Sequence, residues 1–274
     1  MHVSTKELGS FPKAMTIAGS DSGGGAGIQA DLKTFSANGV YGSSVVTAVT
    51  AQNTLGVHDV FELPSSLIES QIRAVMSDIG CDVIKTGMLS SSTVVETVVR
   101  TLNDFELPSL VIDPVMKAKG GASLISEEAI ETVKKILIPM ASIVTPNIPE
   151  AIELTGIDIN DINSAKKAAL YLVNIGADSV VIKGGHLDGP EAQDLYYDGD
   201  VFEIFSSERF DTKNTHGTGC TFASAIAAGL AKGLTMLRSV SDAKDYVSMA
   251  IKNNRNIGSG HGPINHFYKY WGEY

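Results

Sequence analysis

Ser179-Val180-Val181-Ile182-Lys183-Gly184-Gly185 sets three consecutive β-branched apolar residues between a polar start and a glycine pair. A run this short, with no polar alternation, predicts a strand buried on both faces, as in a parallel sheet. Val111-Ile112, running into Asp113-Pro114-Val115, has the same form. Working outward, strands are expected at 14–19, 43–50, 82–86, 109–113, 141–145 and 179–183. Helical-period segments fall at 25–38, 64–78, 92–104, 126–137, 147–155 and 163–175. In 240–252 the stripe is well marked by Val240, Ala243, Val247, Ala250 and Ile251. This alternation predicts an α/β fold, a mostly parallel central sheet with helices on both faces. A hairpin over Asp194–Asp198 and Val201–Phe205 is expected to add antiparallel strands. With no repeat or linker in between, one domain is expected over 14–274, after a disordered lead-in at 1–13.

Composition narrows the function classes. The 274 residues are 43% hydrophobic and 19% charged, ordinary for an enzyme with a substantial core. A formal net charge of -10 argues against nucleic acid or an anionic membrane as partner, since both select basic surfaces. It leaves room for a phosphate-bearing ligand held by helix N-termini and a few cations. Met1 to Pro12 has no apolar core of a secretory signal, and no apolar run reaches 18 residues. Two cysteines, Cys81 and Cys220, fit a reduced cytoplasmic protein better than a disulfide framework.

The strands run into Gly19-Ser20-Asp21, Thr86-Gly87-Met88, Asp113-Pro114-Val115, Thr145-Pro146-Asn147 and Lys183-Gly184-Gly185. In an open parallel sheet these points share one edge, where ligands bind. Any one of them is ordinary turn punctuation; five together predict a composite cleft.

Two loops open helices there. Ser22-Gly23-Gly24-Gly25-Ala26-Gly27 lets backbone N–H groups approach a ligand, but it matches neither a P-loop nor G-x-G-x-x-G. Ligand contact and plain turn geometry weigh equally for it. Thr215-His216-Gly217-Thr218-Gly219-Cys220 says more, because it precedes the small-residue helix Thr221–Ala228. Gly217, Thr218 and Gly219 at a helix start offer a cup of free N–H groups at the positive end of the dipole. Such a cup suits a transferring phosphoryl group. Cys220 in the first turn is expected to have a lowered thiol pKa and to act as base toward a substrate hydroxyl. A lone cysteine is more often a small buried hydrophobe, and Cys81 reads that way; the Gly-Thr-Gly context reverses the weighting for Cys220. Asn147 and Glu150, three apart, share a face of a first turn. They read either as a capping box or as holders of hydrated Mg²⁺, and spacing alone favours the cap. The histidines show no metal-ligand spacing.

Ala18–Asp21, Gly24–Lys33, Ala51-Gln52-Asn53-Thr54, Lys85–Leu89, Thr145–Asn147, Lys183–His186, Thr215–Cys220 and Gly260–Phe267 together resemble the hydroxymethylpyrimidine/phosphomethylpyrimidine kinases of thiamine synthesis. The likeness spans roughly 14–271 in the family's order. It implies a ribokinase-like three-layer sandwich, a homodimer, and two successive transfers from ATP with Mg²⁺, first to the alcohol and then to its monophosphate. Cys220 then ends the anion-hole motif as the catalytic residue. Gln52 meets the pyrimidine edge, and Gly19, Ala26, Asp31, Met88, Val115 and His216 belong to the substrate pocket. Lys183, Thr218 and Asn147 match nucleotide or phosphate contacts, while Asn147 and Glu150 match the Mg-associated motif. Lys117 departs from the pattern, which has an apolar residue there. A pyridoxal or pyridoxine kinase is the nearest rival; Ala51–Thr54 and the tail speak for the pyrimidine branch. A non-catalytic vitamin-binding protein and a NAD-dependent enzyme are further alternatives, disfavoured by Cys220, Asn147 and Glu150 and by the missing glycine fingerprint.

Overall fold

The structure is a computed structural model that describes residues 11–117, 121, 123–185 and 191–271. Its strands are β1 (Lys13–Asp21), β2 (Tyr41–Asn53), β3 (Gly56–Glu62), β4 (Val83–Thr86), β5 (Ser109–Ile112), β6 (Ile143–Val144), β7 (Val180–Lys183), β8 (Glu191–Tyr197) and β9 (Phe202–Glu208). They form one sheet in the order β3-β2-β1-β4-β5-β6-β7-β8-β9. From β2 through β7 every neighbouring pair is parallel. β3 adds to one edge and the β8–β9 hairpin to the other, all antiparallel. The mostly parallel sheet covered on both faces is the architecture expected from the sequence.

Alternation along the strands splits the core in two. Val83, Val111, Ile143 and Val181 pack with Phe35, Phe222, Ile226 and Val240, under α1 (Gly27–Ala37), α7 (Thr218–Ala231) and α8 (Met236–Lys252). Ile84, Leu110, Ile112, Val144, Val180 and Ile182 point the other way. They meet α2 (Ser65–Ala74), α3 (Ser92–Leu102), α4 (Glu127–Thr132), α5 (Ile148–Thr155) and α6 (Ile162–Asn174). Each such side chain contributes about 1.5–3 kcal/mol when fully buried, which is why the central strands carry apolar residues on both faces.

Several expectations shift. β1 starts at Lys13, and the Pro12 carbonyl accepts from Tyr41 N at 2.8 Å, so the chain is already in the sheet before residue 14; residues 1–10 of the expected lead-in lie outside the described residues. β3 was not expected, because Gly56–Glu62 is exposed nearly throughout and has no apolar face to announce it. β6 has two residues instead of five, since Ile138–Met140 forms a 3-10 turn around Pro139 just before it. The helices expected at 64–78 and 126–137 end as π-turns at Val75–Ile79 and Val133–Leu137.

Candidate active site

β1 ends at Asp21, whose carboxylate is 3% exposed and organises the first glycine loop. It accepts from Gly23 N at 2.8 Å, Gly25 N at 3.0 Å and Ala26 N at 2.8 Å. His216 Nε2, from the loop before α7, lies 2.9 Å from Asp21 Oδ2. A carboxylate only accepts, so Nε2 carries the imidazole hydrogen. Burial pushes Asp21 upward, but the His216 bond and the Ala26 and Gly23 amides outweigh it and hold the carboxyl below its ordinary pKa. The two loops touch closely. A Cβ on Gly217, at φ +80°, would lie 1.8 Å from Gly25 O. Glycine is required there on two counts, handedness and space.

Gly217 is the N-cap of α7, and it brings no side-chain cap. By contrast Ser91, Asn147, Asp161 and Thr235 each cap a helix with a side chain. Thr218 N donates to Thr215 O at 3.4 Å, and the first-turn N–H groups of Gly219 and Cys220 are left for a ligand at the positive end of a 14-residue helix. Thr218 turns its own hydroxyl back to Thr215 O at 2.7 Å. Across the gap stands Lys183: a Cβ on Gly219 would come within 3.2 Å of its Nζ.

Beneath this cup runs a line of alternating charge. Asp31 Oδ1 is 3.0 Å from Lys85 Nζ, Lys85 is 3.9 Å from Asp113 Oδ2, and Asp113 Oδ1 is 3.1 Å from Lys183 Nζ. Burial alone would lower the lysine pKa values; the Asp31 and Asp113 carboxylates reverse that and keep both lysines charged. Asp31 also accepts from Thr16 Oγ1 and Ser224 Oγ, both at 2.6 Å. It is fully buried, is not among the cavity-lining residues as the substrate-pocket expectation had it, and pairs with Lys85, which lines the cavity.

All other expected site residues line one cavity of about 900 Å³, within the usual range for small-molecule sites. Gly19, Ala26, Gln52, Met88, Val115 and His216 wall one part of it. Asn147, Glu150, Lys183 and Gly217 to Cys220 stand around the cup. A further lobe is lined by Phe210, Val247 and Ile251, with the buried pair Lys244–Asp194 at 2.8 Å. Asp21, Asp113 and Lys85 stood out in the sequence only as parts of strand-end and family motifs, with no role assigned, and Lys244 did not stand out at all. Lys85 carried a signal, a charge inside the otherwise apolar strand Val83-Ile84-Lys85-Thr86.

One electrostatic expectation needs correction. The Cys220 thiol is pushed up to about 12, not down. Burial is the main cause; Lys85 pulls it back, while Asp113 and Asp31 push further up. The helix dipole acts on a group whose charged form has lost its water, and desolvation wins. At Asn147 and Glu150 the full capping box is present. Asn147 Oδ1 accepts from Glu150 N at 2.9 Å, and Glu150 Oε2 accepts from Asn147 N at 2.7 Å. Burial raises the Glu150 carboxyl to about 7, against the pull of Lys183. Among the described residues no three His, Cys, Asp or Glu side chains converge as a ready metal cluster. Asp113 Oδ2 is buried with no hydrogen-bond donor, however, and it lines the cavity together with Glu150. That donor set suits a cation that keeps most of its water.

Comparison with known proteins agrees with this geometry. The family model described as phosphomethylpyrimidine kinase matches residues 21–265. The hydroxymethylpyrimidine/phosphomethylpyrimidine kinase of Bacillus subtilis is 50% identical over 259 residues, 94% of this chain and 96% of that protein. Among solved structures, a phosphomethylpyrimidine kinase from Clostridium difficile superimposes with a TM-score of 0.78 at 46% identity, covering 87% of this chain and 99% of that one. The pyridoxal kinase of Staphylococcus aureus, solved with AMP-PCP and pyridoxal, gives 0.89 at 39% identity, covering 96% of each chain. With a matched family model across most of its length and relatives at half identity, this chain is a kinase of the phosphomethylpyrimidine kinase family.

Proposed function

We propose that the protein phosphorylates 4-amino-5-hydroxymethyl-2-methylpyrimidine with ATP, and then its monophosphate, in thiamine biosynthesis. The observation that carries this reading is the uncapped N-terminus of α7, facing Lys183 inside a cavity that also holds Gln52. The cup and Lys183 hold the phosphoryl group in transit; positioning and charge stabilisation dominate such transfers. In the first transfer the substrate hydroxyl oxygen attacks the γ-phosphorus. The bond to ADP breaks, and ADP leaves with the electron pair. Burial keeps the Cys220 thiol protonated in the free protein, so it takes the hydroxyl proton only after its own proton has passed to solvent. In the second transfer the attacking phosphate oxygen is already anionic and needs no base. Mg²⁺ would be held through water by Glu150 and Asn147, with Asp113 Oδ2 beside them, and would neutralise phosphate charge.

Ring choice rests on Gln52. Its Oε1 accepts from Thr50 Oγ1 at 3.2 Å, and its Nε2 stands 3.4 Å from His216 Nε2. Because the His216 hydrogen is given to Asp21, that contact satisfies no N–H of Gln52. The amide is left with a donor for a ring nitrogen. A mismatched ring leaves it unpaired, at about 1–3 kcal/mol or roughly ten- to a hundredfold in kcat/KM. The high structural similarity to a pyridoxal kinase supports a second reading, a pyridine alcohol as substrate. Turnover of the pyrimidine alcohol, its monophosphate, pyridoxine and pyridoxal, on wild type and Gln52→Leu, separates the two. We expect the pyrimidine to be preferred and Gln52→Leu to narrow the gap by losing it. A wild type that prefers pyridoxine would overturn the assignment.

Association as a homodimer is supported by the exposed apolar surface of the β2–β3 ribbon. Val49 and Phe61 face each other in register at 46% and 66% exposure, and Leu55 in the turn of the ribbon is 67% exposed. Both cysteines are free, in keeping with a reducing, cytoplasmic setting.

A further inference from the structure

Five cationic side chains line the cavity: Lys85, Lys117, Lys183, Arg209 and Lys244. Seven carboxyl side chains line it as well. Lys85 is held by Asp31, Lys183 by Asp113 and Lys244 by Asp194. Arg209 is bound to the carbonyls of Gly185 and Glu191. Lys117 alone of the five has neither an ion pair nor a hydrogen bond from its ammonium to any described residue, and it is exposed.

Its place is fixed all the same. Val115 N donates to Asp113 O at 2.8 Å, the buried Met116 accepts through its carbonyl from Leu124 N at 2.9 Å, and Lys117 bridges to Ser123. Lys117 thus sits at the pinned root of its loop, one residue beyond a buried anchor. From there a four-carbon stem carries its ammonium at the cavity wall.

Charge accounting says what that ammonium is for. Two anions must share this acid-rich cavity in the second transfer, the nucleotide and a phosphomonoester carrying about -1.5 to -2 charges. The transferring phosphoryl has Lys183 and the α7 N-terminus. Among the described cations that line the cavity, Lys117 is the one left for the acceptor's own phosphate. We propose that Lys117 is a specificity-determining residue that binds the phosphate of the monophosphate acceptor and so favours the second transfer over the first. This rests on the pyrimidine kinase reading above.

The test compares wild type, Lys117→Ala, Lys117→Arg and Lys117→Glu with the pyrimidine alcohol and its monophosphate. Affinities are measured by calorimetry without nucleotide, and kcat/KM with ATP. The ratio of monophosphate to alcohol kcat/KM should fall about tenfold in Lys117→Ala, as expected for one charge-assisted contact to phosphate. It should fall further in Lys117→Glu and recover in Lys117→Arg. Monophosphate affinity should follow the same order, and its salt dependence should flatten in Lys117→Ala. A ratio that stays constant across the series, or a KM for ATP that rises equally with both acceptors, would show that Lys117 serves the nucleotide or nothing, and overturns the proposal. A wild type that phosphorylates neither pyrimidine overturns the functional reading itself, and the Lys117 assignment with it.

Discussion

Cys220 lines the cavity at the start of α7, and its thiol state is the reverse of the one expected. The Gly-Thr-Gly context set it in the first turn of a helix that opens on the cavity. Burial then raises the thiol to about 12, so the free protein carries it protonated. A base is needed only when the acceptor is a hydroxyl, because a phosphate oxygen attacks as an anion. Cys220→Ala is therefore expected to lower kcat about 10²-fold with the alcohol, the lower end of general-base effects. The loss with the monophosphate should be several-fold smaller. Equal losses with both acceptors, measured by ADP release, would assign Cys220 to the cup instead of to proton transfer. Glu150 offers a second check, through stability. Its folded-state pKa of about 7 lies above the ordinary 4.5, so the folded state binds more protons between these values. Stability contributed by the protonated form is present below pH 4.5 and is lost as pH rises toward 7. Glu150→Gln should flatten the fall of Tm across that window. If hydrated Mg²⁺ is held there, it should also raise the Mg²⁺ concentration needed for half-maximal rate. A pH profile of Tm identical to that of the wild type would refute the titration.

At the scale of elements, α7 is the part whose start was most legible and whose consequences were least so. Its small residues Ala223, Ser224, Ala225, Ala227 and Ala228 are buried, letting the helix lie close on the sheet. Gly217 and Gly233 stand at its two ends with φ +80° and +79°. Only Gly217 is crowded; nothing lies within 4 Å of a Cβ on Gly233. Gly233→Ala should cost about 1 kcal/mol of backbone strain and keep its activity. Gly217→Ala adds a clash with Gly25 O, so it should cost more and reduce kcat/KM for every acceptor by shifting the cup. Thermal melts beside turnover decide this, and equal behaviour of the two variants would contradict the packing argument. β3 escaped the sequence, and β6 came out shorter than expected, for a related reason. β3 and the two-residue β6 are set by neighbours already in the sheet, and neither has a hydrophobic period of its own.

For the whole molecule, the open question is what covers the β2–β3 ribbon. Exposed apolar side chains this large on a sheet edge favour association. We expect the 28.9 kDa chain to sediment as a dimer, and Phe61→Asp to sediment as a monomer with its sheet intact by circular dichroism. A wild type that sediments as a monomer would remove the homodimer from the proposal. The family resemblance supplied most of the named site residues, and thirteen of the fourteen line the cavity. The sequence by itself determined the strand–helix alternation and the shared edge where the strands end. Those follow from periodicity and glycine placement, which act over a few residues and can be read one segment at a time. Only the tertiary structure decided the ladder from Asp31 through Lys85 and Asp113 to Lys183, the Asp21–His216 bond 195 residues apart in sequence, and the raised thiol of Cys220. Desolvation and charge pairing depend on everything that surrounds a group in space, and no local stretch of chain contains that information.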